Sequence, residues 1–487
     1  MKLCNLGHNF DYELEKLIRL FLPFEKIVIL RKPEDCDRVA LCKRFEDGVL
    51  YVGLKLNGRY EERTMQLKAY ELNDGKLCEL RLAQMLFDCF VKITGCRPKW
   101  GILTGVRPAK LFSRISSADG TEAAQKYFEK ELFVDKSKIS LCRETVEGER
   151  RITELSRPES FSLYLSVPFC PSRCSYCSFV SHSVDKAENL IPKYVELLCD
   201  ELKRTAETAN SLGLRLETVY MGGGTPTTLS AEQLSKVLDT VNSAFDLSNL
   251  REYTVEAGRP DTITPEKLSA IYNAGATRIS INPQTMNDRV LEHIGRKHTA
   301  RQMQEAFFAA RKCGFKNINT DLIAGLPTDT LESFSDTLDK IAELDPESVT
   351  VHALSMKRAS RLTTDGSLPE DSAGETASAM VDLARERLDR SEIFPYYMYR
   401  QSKTVGNLEN VGYAKRGAEC LYNVFIMDET HTILGCGASA VTKLREPGGA
   451  NISRIFNFKY PYEYIDRYSE QIARKGGIAE FYEKFAE

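Results

Sequence analysis

The sequence predicts an α/β protein built on a central parallel sheet, flanked by an N-terminal α+β domain and a small C-terminal α+β cap. Three observations carry that prediction. Between residues 156 and 358, six short β-branched or apolar runs alternate with helical patterns of about ten or more residues, and parallel strands need such crossovers. Residues 1–155 read instead as an early amphipathic helix, alternating strands and a second helix. Residues 359–487 hold a helix, an aromatic stretch, a Gly-rich segment and a charged final helix.

Each element follows from its local pattern. In the first domain, DGVLYVGLKL and RYEERTMQL alternate about Asn57-Gly58, a two-residue hairpin signal, and helical periodicity runs from Leu77 to Ile93. The loop Thr104 to Lys110 is basic and punctuated by Gly and Pro; it reads as a solvated loop. Ser156 to Ser160 is the expected linker. The six strand candidates are SLYLSVPF from Ser162, LETVYMG from Leu216, EYTVEAG from Glu252, TRISINP from Thr277, NINTDLIAG from Asn317 and SVTVHALS from Ser348. Such units fit a doubly wound sheet or an incomplete barrel, and in both the chemistry sits at the carboxyl ends of the strands. The tail gives a helix from Ala373 to Leu388, then PYYMYR and ILGCGASA.

Composition excludes several classes. A chain of 487 residues with 42% hydrophobic and 28% charged residues is an ordinary multidomain globular protein. Its formal charge of -3 predicts no bulk binding to nucleic acid or acidic membranes. Asp11, Glu13, Glu15 and Lys16 break any early apolar run, so no signal peptide is expected, and no membrane span is expected either. Fourteen scattered cysteines point to reduced thiols in a cytoplasm rather than a disulfide framework.

Cys170, Cys174 and Cys177 are the exception, in SVPFCPSRCSYCSFVSHS directly after the first barrel strand candidate. At this cysteine content a chance CxxxCxxC somewhere in the chain has a probability of roughly 1%. Zinc wants four protein ligands for a structural role or three with water for catalysis, its cysteines commonly as CxxC pairs; no second pair is present, and a zinc-stapled loop is the remaining alternative. A 4Fe-4S cube takes one thiolate per iron, so three cysteines leave one iron open for a substrate or cosubstrate. The other eleven cysteines show no metal-like spacing and read as small buried hydrophobes. The second strand candidate ends in MGGGTPTTLS, where glycines let backbone approach a ligand without Cβ obstruction. Glu256, Gln284, Arg296 and Asp321 follow or interrupt later strands; each taken singly is a satisfied polar residue.

Taken together, these residues resemble the radical SAM enzymes, in which a CxxxCxΦC loop, Φ being aromatic, follows the first strand of a partial (βα)6 TIM-like barrel. Cys170, Cys174, Tyr176 and Cys177 match that loop. The resemblance implies a 4Fe-4S cluster on the three cysteines and S-adenosylmethionine on the fourth iron. It implies that Gly222, Gly223, Gly224 and Thr225 bind the methionyl amine. The Tyr-x-x-x-Pro-Phe-Cys lead-in, GGGTPT and DLIAGLP are similar, more narrowly, to the oxygen-independent coproporphyrinogen III dehydrogenases, here as a longer variant with an N-terminal extension. By that resemblance Glu256, Gln284, Arg296 and Asp321 hold the cosubstrate, Arg296 on its carboxylate and Asp321 on its ribose. Tyr164 is the catalytic candidate near the cluster and, with Tyr176, a cofactor contact. The implied reaction converts two propionates of coproporphyrinogen III to vinyls, giving protoporphyrinogen IX, in a monomer fed by a low-potential donor such as flavodoxin or ferredoxin.

Two positions depart from the family pattern. Phe179 stands where relatives carry a fourth, non-ligating cysteine, and Ser166 stands where they carry a histidine. The heme-chaperone branch of the family also has an aromatic after its last cluster cysteine, so a heme-binding carrier is the alternative. That branch carries HNxxYW near its C-terminus, whereas the comparable stretch here is ECLYNVF. The lone tail histidine, His431, reads as a core or surface residue rather than a heme ligand.

Overall fold

The computed structural model describes residues 1–34, 36–177, 182–357, 360–364 and 373–485. Phe179 lies outside the described residues, as does the expected boundary at 358 and 359. Two compact units emerge: one of residues 1–146 with 399–408, the other of 147–398 with 409–487.

The first unit is a five-stranded sheet of strands β1 (Lys2–Leu6), β2 (Val28–Leu30), β3 (Arg38–Arg44), β4 (Val49–Leu56) and β5 (Arg59–Gln66), in the order β2-β1-β3-β4-β5. Asn57 and Gly58 join β4 to β5 with φ of 52° and 76°, the left-handed pair that a tight antiparallel hairpin requires. A helix over Gly75–Thr94 packs on this sheet through Leu82, Leu86 and Phe90. Asp74 caps it by accepting from the N–H groups of Lys76 and Leu77, and Gly95 ends it at φ 74°.

The second unit holds the six expected strands: β6 (Ser160–Val167), β7 (Arg215–Gly223), β8 (Glu252–Glu256), β9 (Arg278–Ser280), β10 (Ile318–Ala324) and β11 (Ser348–Ala353). They lie side by side in chain order and all parallel. A doubly wound sheet would reverse its order at a switch point; this one never does, so the winding is that of a partial TIM-like barrel. Ser230 with Gln233, and Thr299 with Gln302, form capping boxes before the helices Ala231–Ala244 and Ala300–Cys313, and each such cap contributes about 1 kcal/mol. On β6 the apolar side chains Phe161, Leu163, Leu165 and Val167 alternate with Ser160, Ser162, Tyr164 and Ser166, so one sheet face is oily and the other polar.

Where the sequence suggests a tail domain, residues 409–487 belong to the barrel's own unit and lengthen its sheet at both edges. Four strands, β13 (Glu409–Ala414), β14 (Thr432–Cys436), β15 (Val441–Arg445) and β16 (Ile452–Phe456), follow β12 (Phe394–Arg400). β13 pairs antiparallel with β11, and β14 pairs parallel with β6. The physical reason is that an unclosed barrel leaves two rows of unpaired backbone groups, which the tail satisfies. Among the described residues no helix is long and apolar enough to cross a membrane.

Candidate active site

The cysteine loop leaves the carboxyl end of β6 and is tied down along its length. Phe169–Cys170 pairs with His182–Ser183, and the N–H of Cys177 donates to the carbonyl of Cys174 at 3.2 Å. The segment after β9 holds it from the side: Ser175 N–H donates to Ile294 O at 3.0 Å, and Ser172 Oγ to Gly295 O at 3.2 Å. Two sulfurs face protein donors. Thr225 Oγ1 donates to Cys170 Sγ at 3.5 Å and Arg259 Nη1 to Cys174 Sγ at 3.4 Å. Among the described residues no three His, Cys, Asp or Glu side chains converge on one metal-ion position, as a zinc staple would need. Three sulfurs that each hold a different iron of a cube need no such convergence.

The glycine run adjoins this loop, with Ser166 opposite Gly222 and Val167 opposite Gly223. The protein's own packing demands glycine here. A Cβ on Gly222 would lie 2.9 Å from the Glu256 carboxyl carbon, and one on Gly224 would lie 2.5 Å from Phe169 O. Gly223 has φ 107°, and a Cβ there would meet Ser166 Oγ at 2.9 Å. The N–H groups of Gly224 and Thr225 donate to Val167 O and Phe169 O at 2.8 and 2.7 Å, so the run clamps the lead-in to the cysteines.

Two carboxylates, Glu256 at the end of β8 and Asp321 in the middle of β10, are driven apart in acidity. Burial, aided by the charge of Asp321, pushes Glu256 up to about 7, although it accepts from Tyr220 OH at 2.6 Å. Burial also opposes ionisation of Asp321, but bonds from His352, Asn319 and Thr350 hold it below the usual range; Asn319 Nδ2 is 2.8 Å away. At neutral pH the site therefore contains one firm carboxylate and one poised between its two forms.

Arg296 is the clearest unfinished group. Its side chain is buried, Nε and Nη2 donate to Tyr176 OH at 3.2 and 2.9 Å, and Nη1 donates to Gly258 O and Asn282 O at 3.0 and 3.1 Å. It forms no ion pair among the described residues, and a buried guanidinium without an anion is costly. Gln284 is held at φ 71°, its N–H on Asp321 O and its carbonyl receiving Ile323 N–H, both at 2.9 Å; such strain concentrates at functional sites. Tyr164 lies on the interior face of β6 rather than in the loop, stacked with Tyr220 and Tyr422 at centroid distances of 6.3 and 6.1 Å.

Thus Cys170, Cys174, Cys177, Tyr176, Arg296, Thr225 and the glycines form one neighbourhood, and Glu256, Asp321 and Gln284 border it on and after the next strands. Sequence reasoning missed Tyr220, Tyr422, His352 and Arg259. Tyr220 and His352 were legible as polar residues inside strand candidates, and Arg259 as a cation just past a strand end. Tyr422 carried no such signal, since its helix reaches Tyr220 only through the fold, at 4.6 Å.

Comparison with known proteins agrees with this geometry. A family model of the radical SAM superfamily matches residues 164–341. A solved structure of coproporphyrinogen III oxidase (HemN) from Escherichia coli, described as a radical SAM enzyme, shares the fold, with a TM-score of 0.52 and 23% identity over 68% of this chain and 73% of that one. The fold and site thus define a radical SAM protein, whose cofactors are a 4Fe-4S cluster and S-adenosylmethionine. The oxygen-independent coproporphyrinogen-III oxidase-like protein HemZ of Bacillus subtilis is 38% identical over 386 residues, 78% of this chain and 77% of the relative. The heme chaperone HemW of the same organism is 30% identical over 64% of this chain and 76% of its own. The chain belongs to the radical SAM coproporphyrinogen oxidase-like family.

Proposed function

We propose that this protein oxidatively decarboxylates two propionate side chains of coproporphyrinogen III to vinyl groups, yielding protoporphyrinogen IX without oxygen. Each turn would remove one hydrogen atom, which leaves in deoxyadenosine, and one electron, which passes to an external one-electron acceptor, and would release carbon dioxide. The observation that carries the reading is Arg296: a buried cation with no ion pair among the described residues, bonded to the aromatic residue inside the cysteine loop. It suits the carboxylate of S-adenosylmethionine, to which the remaining Nη2 N–H would donate a charge-assisted hydrogen bond.

Cys170, Cys174 and Cys177 would hold three irons and leave the fourth open. Glu256, beside Gly222, would take the amine with Gly223, Gly224 and Thr225, while Asp321 would accept from the ribose hydroxyls and Gln284 would border the same ligand. Tyr176 would keep Arg296 in place, and Tyr164 would floor the chamber with Tyr220 and Tyr422, shielding it from water. The bound cofactors supply a carbon radical strong enough to take hydrogen from an unactivated C–H bond. A monomer fed by a flavodoxin- or ferredoxin-type donor completes the reading.

The heme-carrier alternative draws on relatives named as chaperones, but His431 supports it poorly. That ring is fully buried, stacked on Phe425 at 3.6 Å, bonded to Ser162 Oγ at 3.0 Å, and pushed down to about 3 chiefly by burial. The deciding experiment is anaerobic incubation of reconstituted protein with coproporphyrinogen III, S-adenosylmethionine and a low-potential reductant. Deoxyadenosine and protoporphyrinogen IX are expected. Deoxyadenosine without decarboxylation would overturn the substrate, and stoichiometric heme binding with no turnover would favour the carrier.

A further inference from the structure

Arg259 follows Gly258 just beyond the end of β8, and its side chain is 3% exposed. All five of its N–H donors have acceptors. Nε and Nη2 grip Asp261 at 3.0 and 3.2 Å, and Nη2 also donates to Ser172 Oγ at 3.1 Å. Nη1 divides between Ser172 O at 3.5 Å and Cys174 Sγ at 3.4 Å. The two-pronged grip on Asp261 fixes the guanidinium plane, and that plane aims Nη1 at the sulfur. Ser172 and Cys174 lie 87 and 85 residues away in sequence, so the fold alone brings this cation to the cysteine loop.

The surrounding charges are few. Burial opposes ionisation of Asp261, yet Arg259 holds it below the usual range. His298, pushed down to about 3 by burial and by Arg296 and Arg259, is neutral. Arg296 adds a second cation on the same side, its charge coupled to that of Cys174.

We propose that Arg259 sets the reduction potential of the 4Fe-4S cluster by hydrogen-bonding the sulfur of Cys174. One-electron reduction by a low-potential flavoprotein or iron-sulfur protein adds negative charge, which spreads onto the thiolate sulfurs; no bond need break. A fixed N–H donor on a buried cation stabilises that added charge more than the oxidised form, so it raises the potential, and such sulfur-directed hydrogen bonds are an established lever on cluster potentials. Burial of Cys174, 7% exposed, acts the other way by disfavouring added charge. Arg259 offsets it. This inference rests on Cys174 being a cluster ligand.

The test is an EPR-monitored redox titration of the reconstituted full-length protein with titanium(III) citrate and mediators. In Arg259→Gln the ratio of reduced to oxidised cluster at a fixed poise should fall about tenfold, a midpoint lower by about 59 mV for one electron. Arg259→Lys, which keeps the charge without the fork, should shift in the same direction by less. An unchanged midpoint in a fully loaded Arg259→Gln protein would overturn the proposal. Should that variant fail to load, the wild-type protein grown with 15N-arginine decides: pulsed EPR of the reduced cluster should show a 15N coupling, and its absence would overturn the proposal equally. Failure of the wild-type protein to take up any cluster would instead sink the assignment of the three cysteines.

Discussion

The two ends of the barrel sheet treat a buried carboxylate in opposite ways. Near the amino end of β7, Glu217 is fully buried and fully answered: Ser160 Oγ, Arg215 and Arg251 all donate to it, and they hold it below the usual range despite burial. At the carboxyl end of β8, Glu256 has one phenol and, among the described residues, no ion pair, and burial drives it up to about 7. The amino end finishes its polar groups within the chain and so contributes stability; the carboxyl end leaves them unfinished and so can bind. Arg296 repeats the lesson in the other charge.

The largest test of this contrast is at the cysteines. Cys174→Ser should lose the 4Fe-4S cluster, measured as iron and sulfide per chain, while Cys436→Ala keeps it. Cys436 is a buried thiol pushed up to about 12 chiefly by burial, inert as a ligand. Retained iron in Cys174→Ser would contradict the ligand assignment.

Next comes Glu217. Its replacement by Gln strips one carboxylate from two arginines and should cost about 3 kcal/mol in urea unfolding, with cluster content unchanged. Glu256→Gln should do the reverse. It relieves the burial of a charge and should stabilise the protein at pH 8 by up to about 2 kcal/mol, while weakening S-adenosylmethionine binding at least about tenfold by equilibrium dialysis. Equal destabilisation by both variants would erase the distinction between the two ends.

The pH dependence of stability separates them further. A carboxyl group with a raised native pKa binds more protons folded than unfolded, so the penalty of Glu256 grows as pH rises from about 4.5 to about 7. Glu217, whose native pKa is lowered, contributes stability above its unfolded pKa that is lost as pH falls through the native value. The difference between wild type and each variant, plotted against pH, should therefore slope in opposite directions. The smallest effect is at Thr225→Val: losing the 3.5 Å O–H to sulfur contact should change stability by less than about 1 kcal/mol and leave the cluster in place by iron assay.

Much of this was legible before any fold was known. The six strands announce themselves because short β-branched and apolar runs alternate with helical patterns, and those are local preferences. The three cysteines stood out because their spacing gathers three thiols within eight residues, so spacing in sequence is nearly spacing in space. Glu256 and Arg296 were visible only as polar residues near strand ends. Nothing in the sequence gave one a raised pKa or denied the other an ion pair, since both depend on what the fold puts around them.

The sequence by itself determined the parallel strand-helix rhythm and the close spacing of the three cysteines proposed to hold the cluster, because both are written in contiguous residues. Only the tertiary structure decided that the tail strands cover both edges of the sheet, that Tyr422 stacks on Tyr220, and that Arg259 meets Cys174 across 85 positions. Those pairings join segments far apart in the chain, and no local preference encodes a partner that long-range strand order alone brings near.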